Sequence, residues 1–277
     1  MQCKVRKMEL AEVEIASYLA YKEGWNPGLN DGLVFYNTDQ NGYFIAEIDE
    51  RVVGCISAVK YNDEFGFIGF YIVDNEYRKS PAGTMLALAA LKYLQGCNIG
   101  MDGVLARVQN YSNLGFKLAY KNMRYEGIGN NYKYSDKIFH SNVIEFEEIL
   151  DYDSKCFPVK REIFLKGWLN MINSYSCVYY EDAVKGFGVI RPCRKGFKIG
   201  PIFADNFYIA DEIYKALASK AVDEIIYLDI TEANPISIDL VNKYDMKKVF
   251  ETARMYNKQE PLIDLNKIFG ITSFELG

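Results

Sequence analysis

The sequence predicts a mixed α/β chain, an α+β arrangement of two tandem copies of one fold, each a mostly antiparallel mixed β-sheet flanked by helices. Its first half reads strand, helices, three antiparallel strands, helix, strand, short helix, strand, and the pattern recurs in the second half. The intervals between matching elements agree: Gly54 to Gly69 is 15 positions and Gly186 to Gly200 is 14, while Gly69 to Phe116 is 47 and Gly200 to Met246 is 46. Matched spacings between matched elements mark an internal repeat. At 277 residues, 49% apolar and 25% charged, the chain is long enough for two domains that each bury a core.

Leu10–Tyr21 has helical spacing of apolar residues, and a short helix follows at Asp31–Tyr36 beyond the turn-rich WNPGLNDG. YFIAEID and RVVGCISAVKY, broken at Asp49 and Glu50, read as an antiparallel hairpin. FGFIGFYIV (Phe65–Val73) is apolar on both parities, as expected of a strand covered on both faces. Gly66 and Gly69 within it mark a bulge or a close approach to the backbone. A helix over Pro81–Gln95 ends at Gly96, followed by a strand near Asp102–Ala106, a short helix around Tyr111 and a strand from Phe116. The Asn/Tyr/Lys-rich stretch Asn130–Asn142 reads as the boundary, giving domains 1–130 and 140–277. Beyond it come a helix over Pro158–Met171, the hairpin VKGFGVIRP and GFKIGPIFA across RKG, a helix over Asn206–Lys220, the strand IIYLDI, a helix over Pro235–Lys243 and the strand MKKVFETARMY.

The net charge of −5 and a pI near 5.2 give no basic field for a polyanion, so nucleic acid is not an expected partner. No apolar run approaches the length of a membrane span and MQCKVRKMELAEVE lacks a signal-peptide core, so the expectation is a cytoplasmic protein with no membrane partner. Six cysteines without any C-x-x-C pair fit buried thiols in a reducing compartment better than disulfides or zinc. The single histidine, His140, leaves little material for His-based triads or metal sites, and no metal is expected.

EYRKSPAGTML (Glu76–Leu86) joins the doubly covered strand to the next helix. With Ser80 as N-cap and Pro81 as first helical residue, the amides of Ala82, Gly83 and Thr84 point out of the helix start beside Arg78 and Lys79. Free donors, the positive end of the helix dipole and two cations together suit a pyrophosphate, and Gly83 lets it come close. The same residues also read as an ordinary capped helix, in which the Ser80 hydroxyl consumes those amides. The loop alone leaves both readings open.

Taken with the strand before it, FGFIGFYIVDNEYRKSPAGTML resembles the central segment of the GNAT (GCN5-related N-acetyltransferase) proteins, where a bulged strand ending I/V-x-V leads into R/Q-x-x-G-x-G/A. Arg78 fills the first place and Gly83 the last, and Pro81 stands where glycine is usual. YSNLGF (Tyr111–Phe116) resembles the family's Y-x-x-x-G-F, whose tyrosine protonates the departing thiolate. The asparagine that usually precedes that helix is missing from its place, and Asn110 stands beside the tyrosine instead. NPISIDLVNKYDM (Asn234–Met246) resembles the equivalent helix of the family with Val241 in the tyrosine position, and GPIFADNF carries no R-x-x-G-x-G. GFGVIRPCRKGFKIGPIFAD, VFETARMY and IFGITSFELG resemble the C-terminal domain of a bacterial tandem group labelled YitH/HolE-like, and GWNPG and FGFIGFYIV resemble its first domain. The resemblance spans nearly the whole chain.

It implies acetyl-CoA (CoA) as cofactor, bound in the first domain by Tyr71, Ile72, Val73, Arg78, Lys79, Ser80, Ala82, Gly83, Thr84 and Asn110, with no cofactor site in the second. It also implies direct attack of an amine, on a small molecule or a peptide, at the thioester. Main-chain N–H groups of Tyr71–Val73 would face the oxyanion and Tyr111 would be the acid. Glu64, which opens the central strand, is the first choice of base ahead of Asp63 and Glu47, and Trp25, Asn26 and Tyr36 are the candidate acceptor-binding residues. A homodimer is compatible with this. The alternatives are a GNAT-derived module that holds CoA without turnover, and a protein whose second domain is the active one.

Overall fold

A computed structural model describes residues 2–277. The first half contains β1 (Cys3–Lys7), α1 (Val13–Lys22), α2 (Asp31–Thr38), β2 (Tyr43–Ile48), β3 (Arg51–Lys60), β4 (Phe65–Val73), α3 (Ala82–Tyr93), β5 (Asn98–Val104), α4 (Val108–Asn113) and β6 (Lys117–Ile128). The second contains β7 (Ile138–His140), α5 (Phe146–Asp153), α6 (Glu162–Leu169), β8 (Tyr175–Glu181), β9 (Ala183–Pro192), β10 (Phe197–Ala204), α7 (Phe207–Ala218), β11 (Ile225–Thr231), α8 (Ile236–Lys243), β12 (Lys247–Tyr256) and β13 (Ile268–Gly270).

Several predicted boundaries move. The first helix starts as a single tight turn over Leu10–Glu12 and becomes α-helical only at Val13. The strand expected at Asp102–Ala106 begins earlier, because Asn98 already pairs with Phe65. The helix expected over Pro158–Met171 is confined to Glu162–Leu169, and α5 and β8 occupy stretches to which the pattern assigned nothing. In α5 the period is masked by Asp153, which is fully buried because Arg161 binds both its oxygens at 2.8 Å. A paired carboxylate on the core face looks polar in the sequence.

All thirteen strands join one sheet, ordered β1-β2-β3-β4-β5-β12-β6-β11-β10-β9-β8-β7, with β13 added on β10. The order reads the same from either edge when β1–β6 are exchanged for β7–β12, so the repeat is also a repeat of topology. The halves trade their last strands: β12 lies between β5 and β6, and β6 lies between β12 and β11. The duplicated sequence therefore builds a single sheet.

The sheet is covered according to side-chain parity. Phe44, Ala46 and Ile48 pack with Leu86, Ala90 and Leu94 of the α3 segment, whereas Tyr43 and Ile45 join Ala16, Leu19 and Phe35 of α1 and α2. That second cluster also takes Phe164 and Trp168 of α6 and Val178, Phe187 and Phe203 of the second half, so α1, α2, α5 and α6 share one core. Phe35 stacks on Trp168 with ring centroids 5.6 Å apart and Phe164 on Trp168 at 5.1 Å, which fastens α2 to α6. Among the described residues, no helix is long and apolar enough to cross a membrane.

The geometry that makes a site is the parting of parallel neighbours. β4 and β5 pair only from Phe65/Asn98 to Ile68/Met101, after which Gly69–Val73 runs beside β3 alone. The bulge expected from Gly66 and Gly69 is there: the β3–β4 register shifts between Cys55 and Ser57, and Phe70 has φ 45°. β10 and β11 part likewise after Ile199/Leu228. That second gap is filled by the chain itself, because β13 pairs with β10 and the Ile271 amide donates to the Asp229 carbonyl at 2.8 Å.

Candidate active site

The strand-to-helix loop is capped differently in the two halves. At the start of α7 the Asn206 side chain accepts from the Ile209 amide at 3.1 Å, an ordinary cap. At the start of α3 the expected N-cap, Ser80, is displaced by one residue: Pro81 holds that place with φ −71°, and Ser80 Oγ reaches only the Ala82 amide, at 3.3 Å. Among the described residues, no acceptor faces the amides of Gly83 or Thr84. An uncapped helix start keeps its positive potential and its donors for a ligand.

Tyr71 closes this corner by donating its hydroxyl to the Gly83 carbonyl at 2.8 Å, and a Cβ on Gly83 would lie 3.3 Å from that hydroxyl. Arg78 is docked on the end of β4, with Nε donating to the Val73 carbonyl at 3.2 Å and Nη2 donating to Glu23 at 2.6 Å. Lys79 is exposed beside it. The Asp74 amide donates to the Val53 carbonyl at 2.8 Å, so strand alternation turns the amides of Tyr71 and Val73 toward the edge that β5 has left. The Ile72 side chain is buried in the shared core.

Where β4 and β5 separate there is a cavity of about 460 Å³, counting the part open to solvent. The first half contributes Trp25, Ile68–Tyr71, Met101, Asp102, Val104 and Tyr111, and the second contributes Phe250, Thr252, Phe274 and Glu275. Tyr111 packs against Gly103, where a Cβ would come within 2.5 Å of the ring. Burial pushes its hydroxyl up to about 12, so it keeps its proton throughout the neutral range.

Sequence reasoning missed Glu275. It is 1% exposed, both carboxylate oxygens lack a hydrogen-bond partner among the described residues, and burial pushes its carboxyl up. The available signal was a lone carboxylate inside the apolar run ITSFELG. The segment 271–277 is buried throughout and is tied down by Arg161 Nη2 donating to Thr272 and by the Tyr61 hydroxyl donating to the Leu276 carbonyl, both at 3.0 Å. It passes so close to β4 that a Cβ on Gly69 would lie 2.0 Å from the Glu275 carbonyl oxygen. Gly69→Ala should therefore push this segment off β4, at a cost of about 1–3 kcal/mol, and expose it to carboxypeptidase digestion. Wild-type resistance in that variant would show that the close approach is not needed.

The remaining candidates divide. Trp25 lines the cavity, its carbonyl accepting from Arg124 Nη1 at 2.6 Å and Lys198 Nζ at 3.2 Å. Asn26 is turned away onto the β9–β10 turn, where its side chain exchanges hydrogen bonds with the Lys195 backbone at 3.0 and 3.2 Å. Tyr36 packs on Tyr43 in the core, ring centroids 5.4 Å apart. Asn110 is exposed on α4 and does not line the cavity. Glu64 sits at the closed end of the β4–β5 pair, with its carbonyl accepting from Asn98, and it too lies outside the cavity. Asp63 is paired with Lys60 and Glu47 with Arg6, both at 2.6 Å. Asp102, the other carboxylate of the cavity, is held by Arg254 at 2.6 and 3.1 Å and by Asn122 at 2.8 Å.

Comparison with known proteins gives a consistent result. Residues 10–117 match a family profile described as acetyltransferase (GNAT) family, and residues 149–270 match one described as acetyltransferase (GNAT) domain. A holothin acyltransferase of Pseudoalteromonas sp. is 29% identical over 271 residues, covering 97% of this chain and 92% of that protein. A Pyrococcus horikoshii structure assigned as an acetyltransferase superposes with a TM-score of 0.86 at 19% identity, over 99% of this chain and 96% of the other. A tandem GNAT protein from the clavulanic acid biosynthesis pathway superposes with a TM-score of 0.61 at 9% identity, over 92% and 98%. At those identities the two structures share the fold with this chain.

Proposed function

This chain belongs to the GNAT acetyltransferase family as two GNAT domains in tandem, and on that premise we propose that it transfers an acetyl group from acetyl-CoA to the amine of a small molecule, with the chemistry in the first half. The observation that carries the reading is the difference between two equivalent places. The α3 start is uncapped and the β4 edge is open, whereas the α7 start is capped by Asn206 and the gap beside β10 is filled by β13.

The residues fit the co-substrate. Two free amides at Gly83 and Thr84 with Arg78 and Lys79 alongside suit a pyrophosphate. The outward amides of Tyr71 and Val73 suit an extended amide-bearing arm and the oxyanion that forms on the acyl carbon. Acetyl-CoA bound there supplies the thioester, and the Tyr111 hydroxyl, in the same cavity, supplies a proton to its sulfur. The cavity is walled by both halves rather than laid out as an open groove, which favours a small acceptor over a peptide. The acyltransferase relative, matched over nearly its whole length, supports acyl transfer as the reaction class.

Calorimetric titration with acetyl-CoA tests the reading. Arg78→Glu exchanges the docked cation for a second carboxylate beside Glu23, and affinity should fall on the order of 100-fold. Undiminished affinity would place the pyrophosphate elsewhere.

A further inference from the structure

Among the described residues, none donates a hydrogen bond to the Glu275 carboxylate. It is buried with both oxygens unpartnered, a costly state for any carboxylate, and it lines the same cavity as Tyr111. Resting on the acetyl-transfer reading above, we propose that Glu275, carried into the first half's cleft by the second half's chain, takes a proton from the acceptor, and that the acceptor is a cationic amine with an apolar or aromatic body seated against Trp25, Phe250 and Phe274.

The surroundings single out this group. Lys198 of β10 and Arg124 of β6 favour its ionised form, whereas Asp31 of α2 and Asp229 of β11 oppose it. Neither cation hydrogen-bonds to it: Arg124 is committed to Asp229 and to the Trp25 carbonyl, and Lys198 donates to that same carbonyl. Asp31 is committed to Arg191 at 2.8 Å and Asp102 to Arg254. Glu275 is thus the carboxylate of the cavity with its lone pairs unclaimed. Burial lifts its carboxyl above the usual range, which makes it a stronger base than an exposed carboxylate. Trp25, Phe250 and Phe274 line the same cavity as Glu275, and aromatic faces attract an ammonium group and strip it of water. The Arg124 guanidinium lies 4.7 Å from the Phe274 ring and 6.0 Å from Phe250, so these rings are braced by a fixed cation.

The step balances with the co-substrate already named. One proton of the ammonium passes to Glu275, and the freed nitrogen lone pair bonds to the thioester carbonyl carbon. The C–S bond then breaks, and the sulfur keeps the electron pair and takes the Tyr111 proton. A second nitrogen proton restores the Tyr111 hydroxyl. The products are the amide, the CoA thiol and one proton, which leaves from Glu275.

The test uses Glu275→Gln, which keeps the shape and removes the base, with two probe nucleophiles at neutral pH. Benzylamine arrives as an ammonium ion, whereas hydroxylamine is largely uncharged. Acetyl transfer to benzylamine should fall about 100-fold or more, and transfer to hydroxylamine should stay within about threefold of wild type. Glu275→Asp should recover part of the benzylamine rate. A readout free of any ligand accompanies it. A carboxyl raised by burial costs stability as pH climbs from the ordinary carboxylate range through its folded value, so Glu275→Gln should gain Tm relative to wild type as pH rises above the ordinary carboxylate range. Equal loss toward both nucleophiles, retention of both, or a Tm difference that ignores pH would each overturn the proposal. Failure of the wild-type protein to bind acetyl-CoA would instead sink the acetyl-transfer reading, and the Tm comparison would still stand.

Discussion

Tyr111→Phe is expected to lower acetyl transfer by about 10²–10⁴-fold while leaving acetyl-CoA affinity within about twofold of wild type. The split follows from what the substitution removes. The ring packs against Gly103 in the α3-side core, and phenylalanine keeps that packing and loses only the hydroxyl. The departing thiolate is basic enough to need a proton, and the hydroxyl, pushed up to about 12 by burial, remains a donor until strongly alkaline pH. The alkaline limb of the wild-type rate should accordingly lie above neutrality and vanish in the variant. Release of the CoA thiol, followed with a thiol reagent beside calorimetry, checks both halves of the expectation. Unchanged release would remove Tyr111 from the chemistry, and lost binding would make it a packing residue. Tight acetyl-CoA binding by the wild type with no release to any amine would support the CoA-holding module instead.

What could be read from the sequence was whatever depends on near neighbours. Phe65–Val73 is predicted to the residue, because a strand covered on both faces is written as an uninterrupted apolar run. The α3 loop is legible because Arg78, Ser80, Pro81 and Gly83 act within one turn of each other. Tyr111 and Trp25, both singled out from their local motifs, line the cavity. The resemblance puts Asn26 and Tyr36 at the acceptor pocket because their segment walls it in that fold, yet the first is claimed by a backbone 169 residues away and the second by the core. Glu275 and the exchanged strands are illegible for one reason: each depends on a contact between halves, and no period or spacing records which distant strand will lie beside β5. A carboxylate in an apolar run declares that something unusual is buried, without declaring where.

The same dependence between halves makes Asp229→Asn a substitution with a large expected cost in stability. Arg124 of β6 and Asp229 of β11 form a fork at 2.6 and 2.8 Å with side chains 4% and 7% exposed, across the seam where the first half's last strand enters the second half. Burial alone would raise the Asp229 carboxyl, but Arg124 and Lys198 hold it below its usual value, so it is ionised at neutral pH. Asparagine would leave the Arg124 guanidinium buried and uncompensated, at a cost of about 3–5 kcal/mol, or on the order of 10 °C in Tm for a chain of this length. The sign with pH is fixed by the depressed carboxyl. The advantage of wild type should be full above about pH 4, the ordinary aspartate value, and should shrink as pH falls through the lower folded value. The effect should also reach the site, because Arg124 pins the Trp25 carbonyl at 2.6 Å and braces Phe274. Replacing both partners, Arg124→Met with Asp229→Leu, should recover most of the lost stability by removing the stranded charge. Recovery of stability without recovery of transfer would separate the two duties of this pair. A denaturation midpoint for Asp229→Asn matching wild type would mean that the seam is held by strand pairing alone.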